Sequence, residues 1–485
     1  QKVVVATVGA ELFPNDGDSF LIKKSKIRGE VSEGMLCAED ELGLGHSHDG
    51  IIALPADAPV GLAASEYYNI ESDFVFEIGL TPNRADAISH FGVARDLVAA
   101  FNVRENKNES LVNPSIESVA SDFTTDLKLE VEDQVRSPRY AGLVISGLEV
   151  KTSPDWLQNA LRSLGLTPKN NLVDITNFIC HDLGQPLHAF DLEKVKGNKI
   201  VVKSGLSSEF VSLDEAKRKL DPADLMICNA EVPMCIAGVF GGLDSGVSDT
   251  TTSIFLESAY FNAVSVRKTA KRQALNTDAS YRFERGIDPK MTVDALYKAV
   301  ALIKEVCPEA KVSQLLENNT FSTYEHQVDF KPAKALRLIG KKLENDAIKK
   351  LLNELEIKVS ENSAEQWQLT VPSYRVDVTR EADVAEEILR LYGFNTVELD
   401  DKINLTVAAF EKKNAYELEK EISRLLVANG FNEAMNNSLT ASENELLFNG
   451  IEDKQVKMLN PLSQDLDVLR QSLTGNLVKN IAYNI

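Results

Sequence analysis

The most regularly patterned stretch of the chain, residues 367–393, reads WQLTVPSYRVDVTREADVAEEILRLYG. Apolar and polar side chains alternate over residues 367–371, which predicts a strand with one buried face. Over residues 384–391 the apolar side chains recur at helical spacing, and Gly393 follows where a helix commonly ends. A second amphipathic helix is predicted over residues 348–355. Residues 325–400 are therefore expected to form a small domain of helices and strands.

Four carboxylates stand at the start of the helix that ends before Gly393: Asp377, Asp383, Glu386 and Glu387. The last three occupy positions i, i+3 and i+4, so they share one side of a helical turn and repel one another. A hard divalent cation such as Mg²⁺ would relieve that repulsion. Alternatively, these acidic residues simply favour the first turn of a helix because of its macrodipole. The spacing alone leaves both explanations open.

Upstream of this domain, residues 126–320 have the pattern of a mixed α/β domain. Strands are predicted over residues 141–145, 200–203 and 254–256, and a helix over residues 292–306. Glu257 ends the last of these strands, where a carboxylate must be paired, exposed or functional because burying it alone is costly. His188 lies in a short turn-like stretch beside Gly184 and Pro186, where a histidine is more often structural than catalytic.

The remaining parts of the chain are less regular. Residues 1–65 combine β-branched runs with glycines, which favours a small barrel or sandwich of short strands. Four cations in this part either form a binding face or protect an exposed edge strand; they are Lys23, Lys24, Lys26 and Arg28. Residues 66–125 hold the motif LTPNRAD at 80–86, a helix and a polar linker. Residues 411–485 begin with another amphipathic helix.

The composition narrows the classes of function. With 73 acidic and 52 basic residues, the net charge of −21 opposes non-specific binding to nucleic acid, so such a role needs local cations or a partner. The five cysteines form no CxxC pair, and no apolar run approaches the roughly 18 residues of a membrane span. A cytosolic protein without membrane contact is predicted. The motifs GxxxxGK[ST], GxGxxG and HExxH do not occur, so a conventional nucleotide-triphosphate or zinc enzyme is not indicated.

Several stretches, taken in order, resemble the β subunit of bacterial-type phenylalanyl-tRNA synthetase. They are KIRGEVSEGMLC at 26–37, LTPNRAD at 80–86, Thr176-Asn177, GQPLHAF at 184–190, Phe240-Gly241-Gly242 and TDASYRFERG at 277–286. The resemblance implies a multidomain α+β protein that is truncated, because the family's anticodon-binding module is missing. Its expected parts are an OB-fold β-barrel for tRNA (1–65), a helical and linker segment (66–125), a mixed α/β editing domain (126–320), a winged-helix-type domain (325–400) and the beginning of a class II synthetase-like, non-catalytic α/β domain (411–485).

The resemblance also assigns roles to residues. The editing pocket would comprise Thr176, Asn177, His188, Gly241, Glu257, Thr277 and Ala279. Glu257 would accept a hydrogen bond from the tyrosine phenol. The cations Lys23, Lys24, Lys26 and Arg28 would contact tRNA(Phe). The carboxylates Asp377, Asp383, Glu386 and Glu387 would bind Mg²⁺ where this subunit meets the catalytic α subunit, which uses ATP.

Three functions remain open at this point. The first is a synthetase β subunit that edits Tyr-tRNA(Phe) within an α2β2 heterotetramer. The second is a non-catalytic assembly and tRNA-binding subunit with a vestigial editing pocket. The third is a free-standing editing hydrolase, against which the segment 411–485 argues, because such an enzyme needs no docking domain.

Overall fold

The computed structural model of the chain describes residues 1–485 apart from 15–17, 46, 69–73, 113–115, 117, 364, 399–405, 407–413 and 449–450. The chain divides into two compact units, residues 1–398 and residues 399–485. Helices and strands both occur in each unit, so the predicted mixture of helix and sheet is confirmed.

The described residues among the first 104 form four pairs of short strands and two α-helices. The elements are β1 (Lys2–Val3), β2 (Val5–Thr7), β3 (Glu11–Leu12), β4 (Phe20–Leu21), β5 (Ser25–Ile27), β6 (Glu30–Ser32), β7 (Gly34–Leu36), β8 (Ala53–Leu54), α1 (Ala64–Tyr67) and α2 (His90–Arg104). β1 pairs with β8, β2 with β7, β3 with β4 and β5 with β6, all antiparallel. Among the described residues these pairs do not join into one sheet, so the barrel remains a prediction.

Residues 126–320 contain two five-stranded sheets, and we call this part the two-sheet domain. Its elements are β9 (Lys128–Val131), β10 (Arg139–Ser146), α3 (Asp155–Ser163), α4 (Asn171–Leu183), β11 (Leu187–Asp191), β12 (Lys199–Lys203), β13 (Glu209–Val211), β14 (Lys217–Lys219), β15 (Met226–Cys228), β16 (Pro233–Ile236), β17 (Phe240–Gly241), β18 (Ser253–Tyr260), α5 (Ala263–Gln273), α6 (Asp278–Phe283), α7 (Met291–Val306), β19 (Lys311–Val312) and β20 (Leu316–Asn319). One sheet has the order β11-β18-β10-β19, with β20 also on β10, and the other has the order β17-β16-β15-β12-β9.

The sheet built around β18 buries both of its faces. Side chains alternate along β18, so Phe255 and Ala259 join one hydrophobic cluster while Ile254 and Leu256 join another. The first cluster also contains residues of β12, β15 and β16, and therefore lies between the two sheets. The second cluster is completed by α3, α4 and α7. Helices thus cover one face of this sheet, and the second sheet covers the other.

Residues 326–392 form a smaller unit, which we call the helix–sheet domain. Its elements are β21 (His326–Phe330), α8 (Pro332–Ile339), α9 (Asn345–Glu354), β22 (Lys358–Ser363), β23 (Gln366–Val371) and α10 (Glu381–Tyr392). The strand and the two helices predicted from the sequence are present, and the antiparallel sheet has the order β21-β23-β22. Ala99 of α2 belongs to its core, and Asn102 donates a hydrogen bond to Glu354 Oε2 at 2.8 Å. α2 is therefore part of this domain's packing, and the winged-helix-type description remains a prediction.

The unit formed by residues 399–485 contains three helices and two short strands among its described residues. They are α11 (Ala415–Ala428), β24 (Leu439–Thr440), α12 (Ser442–Leu447), β25 (Val468–Leu469) and α13 (Thr474–Asn484). β24 and β25 pair antiparallel. The predicted helix at the start of this part is present as α11.

Candidate functional site

His188 and Glu257 face each other across neighbouring strands in the interior of the two-sheet domain. The antiparallel register of β11 and β18 pairs His188 with Glu257, and the same alternation that buries Phe255 and Ala259 turns Glu257 toward the space between the sheets. His188 contacts Phe190 of that cluster, with 4.5 Å between ring centroids. The prediction of a turn at His188 was therefore wrong, and Glu257 lies in the middle of β18 rather than at its end.

Two glycines leave space for aromatic rings beside His188 and Glu257. Gly241 of β17 lies so close to His188 that a Cβ atom on it would be 2.9 Å from the imidazole Cε1. Gly142 of β10 pairs with Glu257 on the other side of β18, and a Cβ atom there would be 2.2 Å from Phe255 Cζ. The structure thus brings Gly241 to His188, as the resemblance implies, and any side chain at either glycine would displace a ring.

Thr277 and Ala279 border the same core. The Thr277 hydroxyl donates a hydrogen bond to the Val239 carbonyl at 2.8 Å and accepts one from the Ser280 amide at 3.1 Å, so it caps α6 and fixes it beside β17. Ala279 packs against the cluster that lies between the sheets.

Thr176 and Asn177 are placed differently. Both lie on α4, whose Leu172, Ile175 and Ile179 pack on the opposite face of the sheet. The Thr176 hydroxyl donates to the Val173 carbonyl at 2.7 Å within its own helix. Among the described residues no hydrogen bond links Thr176 or Asn177 to His188 or Glu257, so the structure brings together only part of the predicted pocket.

Burial keeps both members of the central pair neutral near pH 7. Removal from water raises the pKa of Glu257 to about 8 and lowers the pKa of His188 to about 4. The carboxyl is then largely protonated and the imidazole unprotonated. In this arrangement a phenol would donate its hydrogen bond to a neutral carboxyl group of Glu257.

Tyr140 is a further polar residue of this core, which no motif singled out. It lies on the same face of the sheet as Glu257, is fully buried, and its hydroxyl has no hydrogen-bond partner among the described residues. In the same part of the chain, His188 Nε2 is buried without a partner as well. The alternation of side chains along β10 could have indicated Tyr140. Val144 stands four positions further along the strand, so both side chains lie on the same face and in the same core.

The four acidic residues of the helix–sheet domain do not converge. Asp377 and Glu387 both accept hydrogen bonds from the buried Arg375, at 2.9 Å for Asp377 Oδ2. Asp383 accepts from Arg380 at 2.7 Å, and Glu386 is exposed. Burial alone would raise the pKa of Glu387, but hydrogen bonds from Arg375 and Arg390 hold it at about 2. In the part of the chain that the structure describes, no group of three or more His, Cys, Asp or Glu side chains is arranged to hold a metal ion, and the magnesium site stays a prediction.

The four cations near the N-terminus share no single strand face. Only Lys26 lies within β5, while Arg28 adopts a left-handed conformation with φ of 52° in the following turn. Lys24 forms an ion pair with Glu33, and Lys23 precedes the strand. All four side chains are exposed, and their role in binding tRNA stays a prediction.

Comparisons with known proteins give a consistent picture. The model of the B3/4 domain matches residues 136–308, that of the tRNA synthetase B5 domain matches residues 328–394, and that of the phenylalanyl tRNA synthetase beta chain CLM domain matches residues 403–485.

Among the described residues, none of the helices has the length and hydropathy that a membrane-spanning helix needs.

Curated relatives match along the whole chain. The phenylalanine–tRNA ligase beta subunits of Bacteroides fragilis strain YCH46 and Porphyromonas gingivalis are 49% and 46% identical to it, and that of Chlorobium chlorochromatii is 39% identical. Each match covers 100% of this chain but only 58–59% of the relative. A solved N-terminal fragment of the phenylalanyl-tRNA synthetase beta-subunit from Pyrococcus horikoshii is 14% identical with a TM-score of 0.33, over 68% of this chain and 94% of that fragment. That similarity is too low to bear on the fold.

Proposed function

Because the chain belongs to the family of phenylalanine–tRNA ligase beta subunits, we propose that it supports the charging of tRNA(Phe) by a partner α subunit and removes tyrosine from mischarged tRNA(Phe). The observation that carries the second activity is the buried pair of His188 and Glu257, which face each other between two sheets with Gly241 against the imidazole.

Recognition of tyrosine in this pocket rests on its hydroxyl group. Phenylalanine and tyrosine differ only in that group, and an apolar synthetic site rejects an added hydroxyl by roughly 10²-fold. A second site that needs the hydroxyl corrects the remaining errors. Neutral Glu257 accepts the phenolic hydrogen on its carbonyl oxygen, and a phenylalanyl ester leaves that oxygen unpaired. An unpaired buried acceptor costs about 1–3 kcal/mol, which corresponds to a preference of roughly 10- to 100-fold.

His188 serves as a hydrogen-bonding and positioning group. With a pKa of about 4 its imidazole is a weak base at neutral pH, so it contributes little as a general base. The unpartnered Nε2 atom can instead orient the water or the terminal ribose. In the hydrolysis, the water oxygen bonds to the ester carbonyl carbon and the ribose oxygen leaves with a proton, which yields tyrosine and uncharged tRNA.

The partners of this function are an α subunit, in an α2β2 assembly, and tRNA(Phe). ATP is used in the α-subunit site. Lys23, Lys26 and Arg28 offer exposed cations to the tRNA, whereas Lys24 is partly neutralised by Glu33. A Mg²⁺ ion at the boundary between the subunits would be shared with ligands of the partner. Of the four carboxylates, Asp383 and Glu386 are the two that the buried Arg375 does not engage.

The test is deacylation of Tyr-tRNA(Phe) by the ligase assembled from both subunits. Glu257→Ala should slow this hydrolysis by about 10-fold or more, while charging with phenylalanine stays near the parental rate. Glu209→Ala is the matched control, because Glu209 is an exposed residue of the same domain. Equal deacylation by parent and Glu257→Ala would place the editing pocket elsewhere, whereas the absence of deacylation by the parent would favour an assembly subunit with a vestigial pocket.

A further inference from the structure

A cleft of about 680 Å³ lies outside the proposed editing pocket, where α2, the two-sheet domain and the helix–sheet domain meet. Its lining includes Phe91 and Arg95 of α2, Asp288 and Met291 of the two-sheet domain, and Tyr374 of the helix–sheet domain. The volume falls in the range of clefts that bind small molecules.

Arg95 lines this cleft and forms no ion pair with any carboxylate among the described residues. Its guanidinium carbon lies 3.5 Å from the ring centroid of Tyr374 and 4.8 Å from that of Phe91, so two aromatic rings fix its orientation. Within the described residues its Nε atom is covered by protein and has no hydrogen-bond partner. The residue as a whole is only half-buried and lines the cleft, so a ligand carboxylate would bind through its other guanidinium nitrogens, which have no carboxylate partner among the described residues.

Asp288 supplies the opposite charge in the same cleft. Its Oδ1 atom accepts a hydrogen bond from the Lys290 amide at 2.9 Å, which fixes the carboxylate. Burial raises the pKa of Asp288, while a hydrogen bond from Ser373 and the nearby charge of Arg95 act in the opposite direction. No ion pair joins Asp288 to Arg95 within the described residues. A cation and an anion therefore line the cleft without neutralising each other directly.

The other lining groups exclude a strongly anionic ligand. Three cations and four carboxylates line the cleft: Arg95, Lys290 and Lys358, and Asp288, Asp294, Glu325 and Glu356. Lys358 is paired with Glu325 at 3.7 Å. The lining has no excess of positive charge, so a phosphate or a nucleic-acid backbone would be poorly held. Met291, Ile357 and Pro372 add apolar surface beside the charges.

We propose that this cleft binds a zwitterionic small molecule of the α-amino-acid type, with its carboxylate on Arg95, its ammonium group near Asp288 and an apolar side chain against the aliphatic wall. The site stands apart from Glu257 and does not depend on the proposed editing function.

The test is calorimetric titration of the full chain, without a partner subunit, with L-phenylalanine. Binding is expected, and it should weaken at least 10-fold for 2-phenylethylamine, which lacks the carboxylate, and for N-acetyl-L-phenylalanine, which lacks the charged amine. Asp288→Asn and Arg95→Met should each weaken binding by about the same factor. Asp57→Asn, an exposed loop substitution, and Glu257→Gln should leave binding unchanged.

Three results would overturn the proposal. The first is the lack of any binding of L-phenylalanine up to millimolar concentration, and the second is equal binding of 2-phenylethylamine. The third is binding that Glu257→Gln abolishes and Asp288→Asn preserves, which would place the amino acid between the two sheets. Asp288→Asn keeps the size of the side chain, so it remains informative if Arg95→Met fails to fold.

Discussion

Arg390 of α10 donates a hydrogen bond from Nη1 to Asp96 Oδ2 of α2 at 2.9 Å, and so ties two helices that lie far apart in the sequence. This contact is part of a closed ring of alternating charges. In order, the ring passes through Arg84, Asp86, Arg375, Glu387, Arg390 and Asp96. The LTPNRAD motif supplies Arg84 and Asp86, so we infer that its polar residues hold α2 against the helix–sheet domain.

Glu387→Gln should destabilise the chain by about 3–5 kcal/mol. The side chain is buried between Arg375 and Arg390, and its neutralisation leaves buried positive charge uncompensated. Urea unfolding measures the loss. The adjacent Glu386→Gln is the matched control, because Glu386 is exposed, and it should change the free energy of unfolding by less than about 0.5 kcal/mol. Equal effects of the two substitutions would contradict the importance of the ring.

The free energy of unfolding should fall between pH 6.5 and pH 8. The pKa of Glu257 is about 8 in the folded chain against an ordinary 4.5, so the folded state holds an extra proton over that range and loses stability as the pH rises. His188, with a pKa of about 4 against an ordinary 6.5, acts in the opposite direction, but only below pH 6.5.

The slope from this one proton is at most about 1.4 kcal/mol per pH unit. Urea unfolding at several pH values measures it for the parent and for Glu257→Gln, which cannot ionise. The difference between the two proteins should shrink as the pH falls. A difference that is constant from pH 6.5 to pH 8 would show that Glu257 does not carry the raised pKa.

Tyr140→Phe should slow the deacylation of Tyr-tRNA(Phe) without lowering the free energy of unfolding. The Tyr140 hydroxyl is buried without a partner, so its removal should leave the free energy of unfolding unchanged or raise it by about 1 kcal/mol. If the hydroxyl pairs with the bound ester or with water, deacylation of Tyr-tRNA(Phe) should slow severalfold in the same variant. Tyr260→Phe, at the end of β18, is the control and should leave deacylation unchanged. A destabilised Tyr140→Phe variant would indicate that the hydroxyl has a partner in the folded chain.

Glu386→Ala should weaken association with the α subunit in the presence of Mg²⁺ without destabilising this chain. Glu386 is exposed, so its carboxylate is available to an ion shared between the subunits. Sedimentation of the mixed subunits measures association, with Glu398→Ala as the exposed control. After chelation of Mg²⁺, parent and Glu386→Ala should associate equally. If Glu386→Ala associates with the α subunit as tightly as the parent in Mg²⁺, Glu386 has no role in the ion site. Its position would then be explained by the helix macrodipole alone.

The sequence predicted helices and strands better than it predicted which strands pair and which side chains contact each other. The strand before Pro372 and the helix before Gly393 follow directly from hydrophobic periodicity. His188 was misplaced because Gly184 and Pro186 indicate a turn, and only pairing with the distant β18 makes Leu187–Asp191 a strand. The spacing of the carboxylates at 377 and 387 does not show that Arg375 donates to both of them. Pairing with a distant strand decided the place of His188, whereas the local folding of residues 375–387 decided the contacts of these carboxylates.

The packing of Ala99 into the core of the helix–sheet domain has a practical consequence for dissecting this protein. A recombinant fragment that starts after α2 would expose part of that core and would lack the contact of Arg390 with Asp96. Residues 326–392 should therefore be grafted onto another scaffold only together with residues 80–104. A chimera that omits them is expected to aggregate or to be degraded during expression.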